Sequence, residues 1–184
     1  MENTFETTQQ RNAGAGTGDY LLQELFLDSL MDIYYAEKAI ATALPRMKKA
    51  ATSQTLMNAF DEHLTMTNGQ IARLEQVFQI LGEQPKGKKC EAIEGLVKEA
   101  ETIISDTEEG TSTRDVGLIL AAQKVEHYEI ASYGGLRQLA ITLGNNEAAE
   151  LLQQTLEEEK QTDLLLTQIA ENDINYQAAQ EDEA

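Results

Sequence analysis

Apolar residues return every three or four positions in four long stretches of this chain and one short one, and polar residues interrupt the middle of each long stripe. Such spacing keeps side chains on one face of a helix and predicts amphipathic helices, not strands. The first helix is expected from about Tyr20 to Ala51 with Asp19 as its N-cap, and its stripe reads Leu30, Ile33, Glu37, Ile40, Leu44, Met47. Pro45 lies well inside that pattern and should kink or divide the helix. The second runs from a Ser53 cap to about Leu81, with Gly82 as the stop, through Leu56, Phe60, His63, Thr67, Gln70, Leu74 and Val77, with Met66 beside the seam.

A loop over Gln84–Lys88 leads to a short amphipathic helix from about Cys90 to Ile104. Another long helix follows, from about Arg114 to Leu143, with the seam Ile119, Ala122, Glu126, Glu129, Tyr133, Leu136, Ala140. Gly144-Asn145-Asn146 turns the chain into the last, from about Glu147 to Asn172, where Leu152, Leu156, Glu159, Asp163, Leu166 and Ala170 share a face. Short links join the long helices in two pairs, which makes each pair antiparallel neighbours, and the longer link carrying the small helix can cross between pairs. The reading is an all-α fold: a ferritin-like four-helix bundle with an additional short helix in the crossover connection. It occupies residues 19–172, between a disordered N-terminal tail, 1–18, and an acidic C-terminal tail, 173–184.

Composition supports helices, with 2 prolines, no tryptophan and abundant Ala, Leu, Glu and Gln. The single cysteine, Cys90, has no partner for an internal disulfide and reads as a small apolar contact, and Met1-Glu2-Asn3-Thr4 lacks the basic start and apolar run of a secretory signal. A cytoplasmic location is expected. A net charge of -18, with 14 basic residues scattered among 32 acidic ones, excludes an obvious nucleic-acid surface. No run approaches the roughly 20 apolar residues of a membrane span.

The acids in the seams carry the chemistry. A single glutamate in a stripe is often a snorkelling surface residue. Here Glu37, Glu126, Glu129, Glu159 and Asp163 all fall near the middle of long helices at seam spacing. Carboxylates gathered in a low-dielectric interior cannot all stay ionised unless cations compensate them, and carboxylate-rich bundle sites suit iron or manganese. Glu126 and Glu129, three apart, and Glu159 and Asp163, four apart, form pairs on shared faces, Glu37 adds a single carboxylate, and His63 can supply a nitrogen. The metal-ligand set expected is therefore Glu37, His63, Glu126, Glu129, Glu159 and Asp163. Met66 stands where a further acid would complete a two-metal set, and a thioether is a poor ligand for a hard ion. His127 reads as a residue of the surface or one backing the ligands from outside, and Tyr34 and Tyr133 as packing residues.

Several runs resemble the bacterial YciF/YciE stress-protein family: Tyr35-Ala36-Glu37-Lys38, Gly69-Gln70-Ile71-Ala72-Arg73-Leu74-Glu75, Cys90-Glu91-Ala92-Ile93-Glu94-Gly95-Leu96, and above all Ala121 to Gly134 with its core Val125-Glu126-His127-Tyr128-Glu129-Ile130. The likeness spans about Leu21 to Asn172. It implies a ferritin-like fold related to rubrerythrins, an association with bacterial stress responses, and helix-centre acids at Glu37, Glu126, Glu129, Glu159 and Asp163. The departure is His63-Leu64-Thr65-Met66-Thr67, where that family commonly carries two glutamates after His-Leu.

Two functions stay open: a stress-associated iron or manganese protein acting on peroxide or oxygen, or a non-enzymatic helical interaction protein with a vestigial site. Nothing in the sequence identifies the contacts of an iron-storage shell. Glu37, Glu126, Glu129 and Glu159 are expected to converge in one interior with His63 near them. Phe26, Phe78 and Leu139 are expected to be exposed and to support a homodimer.

Overall fold

The structure, a computed structural model, describes residues 17–181. Almost all of the expected tail over 1–18, and residues 182–184, therefore lie outside the described residues. Regular structure among the described residues is entirely helical: α1 Thr17–Ala50, α2 Gln54–Ile80, α3 Glu91–Asp106, α4 Ser112–Thr142 and α5 Asn146–Ile169. A wide π-helical turn, Ala170–Ile174, and a last short helix, α6 Asn175–Ala178, complete it. None of these helices is long and apolar enough to cross a membrane.

Capping explains most of the helix ends. Ser53, Cys90 and Thr111 precede α2, α3 and α4 in extended conformation, and each accepts a hydrogen bond at its side chain from a backbone N–H three residues on. Cys90 thus does more than fill space. At the C-terminal ends, Gly82 and Gly144 take positive φ of 74° and 77°. The following amides then fold back, Glu83 N–H to Phe78 C=O and Asn145 N–H to Ala140 C=O, which satisfies carbonyls the helix leaves open.

α1 packs on α2, α2 on α5, α5 on α4 and α4 on α1, so the four long helices form a closed ring of neighbours. Leu30, Ile33, Phe60, Leu74, Ile119 and Leu152, all on the expected stripes, are buried between them. Withdrawing each such side chain from water contributes about 1.5–3 kcal/mol. α3 packs against α4 and α1. Gly117 makes that approach close, since a Cβ there would stand 2.6 Å from Ile103 Cγ2.

Several expectations need correction. α1 starts at Thr17, so Asp19 lies within the helix and does not cap it. α1 also runs undivided through Pro45. The proline is exposed while Leu44 and Met47 beside it are buried, so water can replace the lost backbone bond and core packing holds both flanks. Phe26 and Phe78 are not exposed: both are buried, with Phe78 edge-on to Tyr34 at 5.6 Å, and Leu139 is half-buried. The inward stripe is wider than one seam at this end, because Phe26 lies one turn before Leu30 and Phe78 adjoins buried Val77. The acidic C-terminal stretch is ordered as far as Glu181, for two reasons. Ile174 is buried, and the Glu181 carboxylate accepts hydrogen bonds from the Ser112 and Thr113 amides and the Thr113 hydroxyl at the start of α4.

Asp115 ties the ring together at the junction of α1 and α2. Its buried carboxylate accepts the Thr52 amide at 2.8 Å and the Ser53 amide at 2.6 Å, from a helix some sixty residues later in the chain. Asp115→Ala leaves both amides without that partner. It is expected to lower stability by about 1–3 kcal/mol, measured by urea unfolding.

Candidate metal centre

Each long helix sends polar side chains into the middle of the ring. Glu37 comes from α1, His63, Thr67 and Gln70 from α2, Glu126 and Glu129 from α4, and Glu159 from α5. All seven are buried, and the four glutamates are fully so. Successive inward positions on a helix are three or four apart, which is why Glu126 with Glu129, and His63 with Thr67 and Gln70, enter together.

One ligand atom from each of His63, Glu126, Glu129 and Glu159 lies within 4.8 Å of the others. His63 Nδ1 stands 3.4 Å from Glu126 Oε1. Burial pushes the His63 pKa down to about 4, so at neutral pH this is a contact between an acid and a neutral imidazole, not an ion pair. Glu37 completes the acidic interior from α1, and its Oε1 accepts the hydroxyl of Tyr133. Gln70 Nε2 donates to Glu159 Oε1 at 2.5 Å and to Glu158 Oε2 at 3.1 Å. Arg73 grips Glu158 through two hydrogen bonds of 2.8 and 2.7 Å and reaches Thr155 Oγ1 at 2.7 Å.

The remaining ligand atoms have nothing to bond. Both oxygens of Glu126 and of Glu129, Oε2 of Glu37 and of Glu159, Oε1 of Gln70 and Nε2 of His63 are buried without a hydrogen-bond partner. Buried polar atoms are seldom left so, and a group of them in one place could hold an ion. Carboxylate oxygen and imidazole nitrogen are donors that suit iron and manganese, so the residues present fit such an ion.

Electrostatics agree. Burial, and then the charge of Glu159, push the carboxyls of Glu37, Glu126 and Glu129 well above the usual range. Glu159 is raised to about 7, again chiefly by burial. Burial and the neighbouring Glu37 raise the Tyr133 hydroxyl as well, so the phenol stays protonated and donates a hydrogen bond to Glu37.

Asp163 stands outside the group of four. It is half-buried, accepts a hydrogen bond from Gln123 at 3.3 Å, and lies 3.4 Å from Nε2 of the exposed His127. On α5 the inward stripe continues from Glu159 to Thr162, three residues on, so the residue four on is left at the flank. Met66 is half-buried beside the seam formed by His63, Thr67 and Gln70. Sequence reasoning assigned no site role to the hydrogen-bonding of Tyr133, Gln70 or Arg73. Gln70 alone had a signal, as a third polar residue on an otherwise apolar stripe.

The family described as a domain of unknown function, DUF892, matches residues 21–179. Protein YciF of Escherichia coli strain K12 is 48% identical over 158 residues, covering 85% of this chain and 95% of that protein. The crystal structure of YciF, described as an E. coli stress protein, superposes with a TM-score of 0.80 and covers 84% of this chain and 97% of that one. YcfI of Rhodopseudomonas palustris is 38% identical with a TM-score of 0.78, over 89% of this chain and 98% of its own.

The raised carboxyls set the pH behaviour of metal-free protein. Each folded acid keeps a proton that the unfolded chain, with its ordinary value of 4.5, has released, so stability falls as pH rises toward the folded values. His63 acts in the opposite sense, but only below its ordinary 6.5. In the presence of a chelator, the melting temperature is therefore expected to fall as pH rises above 6.5. Glu129→Gln is expected to flatten that fall in a calorimetric pH series.

Proposed function

The chain belongs to the DUF892 family, and from that premise we propose that it is a stress-associated protein with a ferritin-like four-helix bundle whose interior binds iron or manganese. On this reading α1, α2, α4 and α5 are the bundle and α3 is the additional helix of the crossover. The observation that carries it is the convergence of unpartnered, fully buried ligand atoms from three helices on one point.

Glu126, Glu129, Glu159 and His63 would hold the ion. Gln70 orients Glu159, and Tyr133 orients Glu37, from fixed hydrogen bonds that need no rearrangement on binding. Neutral His63 is in the protonation state that a metal ligand requires. The surrounding apolar side chains keep water from the centre. Bound iron or manganese supplies redox chemistry toward oxygen or peroxide, which is the class of reaction this reading assigns.

A second reading, a non-enzymatic helical protein with a vestigial site, draws its support from α2, which sends no carboxylate into the interior and carries Met66 beside its seam. A homodimer fits either reading. Leu21 and Leu25, one turn apart on α1 and 65% and 54% exposed, replace Phe26 and Phe78 as its support. Sedimentation at micromolar concentration is expected to show the dimer, and Leu21→Lys with Leu25→Lys to shift it toward monomer.

Metal should stabilise the fold by mass action, by roughly 2.7 kcal/mol at a hundredfold excess over the dissociation constant. Iron, added anaerobically, or manganese is expected to raise the melting temperature, and Glu126→Gln to remove most of that rise. No shift with either metal would favour the vestigial reading.

A further inference from the structure

We propose that a small apolar pocket beneath α3 holds dioxygen against the centre, which makes oxygen, not peroxide, the small reactant that this chain takes. The inference rests on the reading of the cluster as a metal centre and narrows its substrate.

The pocket lies where α1, α3 and α4 meet, and its volume is about 20 Å³. Ala43, Ala100 and Ala122, one from each helix, line it, and their short side chains leave the space that larger ones would fill. α3 is pressed onto α4 where Gly117 meets Ile103, and the gap opens about one turn further along α4. Its inner wall includes His63 and Glu126, two of the four residues around the centre. On the α3 side Leu96 is half-buried, which puts solvent one side chain away. Three larger hollows, beside Tyr20, Asp28 and Lys89, are lined by none of those four residues.

The walls choose the occupant. No polar atom of the described residues is exposed in the pocket, because the unpartnered atoms of His63 and Glu126 are themselves covered. A trapped water needs room for one molecule and about two to four polar partners, and this pocket supplies the room alone. Peroxide carries two hydroxyl groups with the same need, so its transfer from water into such a space is costly. Dioxygen is small and apolar and loses no hydrogen bonds of this kind on entering. A molecule seated there touches the side chains of His63 and Glu126 directly, whereas the other hollows bring it no nearer than the bundle surface.

The test begins with the full chain free of metal. Dioxygen is paramagnetic and speeds the relaxation of nearby protons, and xenon enters dry apolar cavities and shifts their signals. Under oxygen pressure the methyl signals of Ala43, Ala100 and Ala122 are expected to relax faster than those of Ala140 and Ala148, which are buried elsewhere, and xenon to shift the same three. Ala100→Val, which fills the gap, is expected to remove both effects. Equal relaxation at all five alanines with no xenon shift would overturn the pocket. In the chain loaded anaerobically with ferrous iron, Ala100→Val is expected to lower the rate of oxidation by dissolved oxygen several-fold relative to the rate by peroxide. An unchanged ratio of the two rates would overturn the oxygen route. A chain that shows the methyl effects but binds no iron would overturn the metal centre, and the oxygen route with it, and leave only the pocket. Should Ala100→Val not fold, the methyl signals of the parent decide the pocket, and Leu96→Phe at the half-buried rim repeats the comparison of rates.

Discussion

A carboxylate moved from water into a protein interior loses hydration worth several kcal/mol, and this protein makes that transfer for four glutamates inside one ring of helices. The rest of the structure is arranged around that cost. Apolar layers above and below the acids, with Leu30, Phe60, Ile119 and Leu152 among them, supply the stabilisation that lets the acids stay inside. Glu126, Glu129 and Glu159 in turn lie close together, so one proton or cation acts on all three.

Compensation is graded across the interior. On the α2 and α5 side, Gln70 and the Arg73–Glu158 pair place donors around Glu159, whose carboxyl burial raises to about 7. On the α4 side, Glu129 has no hydrogen-bond partner and Glu126 faces only His63 and Glu159. Buried acids in that setting are held neutral by a proton or compensated by a cation, and burial raises both α4 carboxyls accordingly.

Much of this was legible in the sequence. A stripe of three-and-four spacing can be read without coordinates, so the inward placement of Glu37, His63, Glu126, Glu129 and Glu159 followed from their register with Leu, Ile and Phe. Asp163 shows where that reasoning stops. From Glu159 the inward stripe can step to residue 162 or 163, and only the packing of α5 against its neighbours selects Thr162. Phe26 and Phe78 show the same limit from the other side, because spacing gives the centre of a stripe but not its width. The donors Gln70, Tyr133 and Arg73 owe their roles to neighbours on other helices, up to 96 residues away for Tyr133, and no local pattern encodes such a pairing.

The Asp115 contact joins the link between α1 and α2 to a helix made much later. While the chain is being synthesised, the first two helices leave the ribosome before the residue that seals their corner. The corner amides must be hydrated until α4 arrives, so the early hairpin is open to proteases and chaperones in a way the finished protein is not. A chain cut between α3 and α4 would likewise need its second piece in order to close the first.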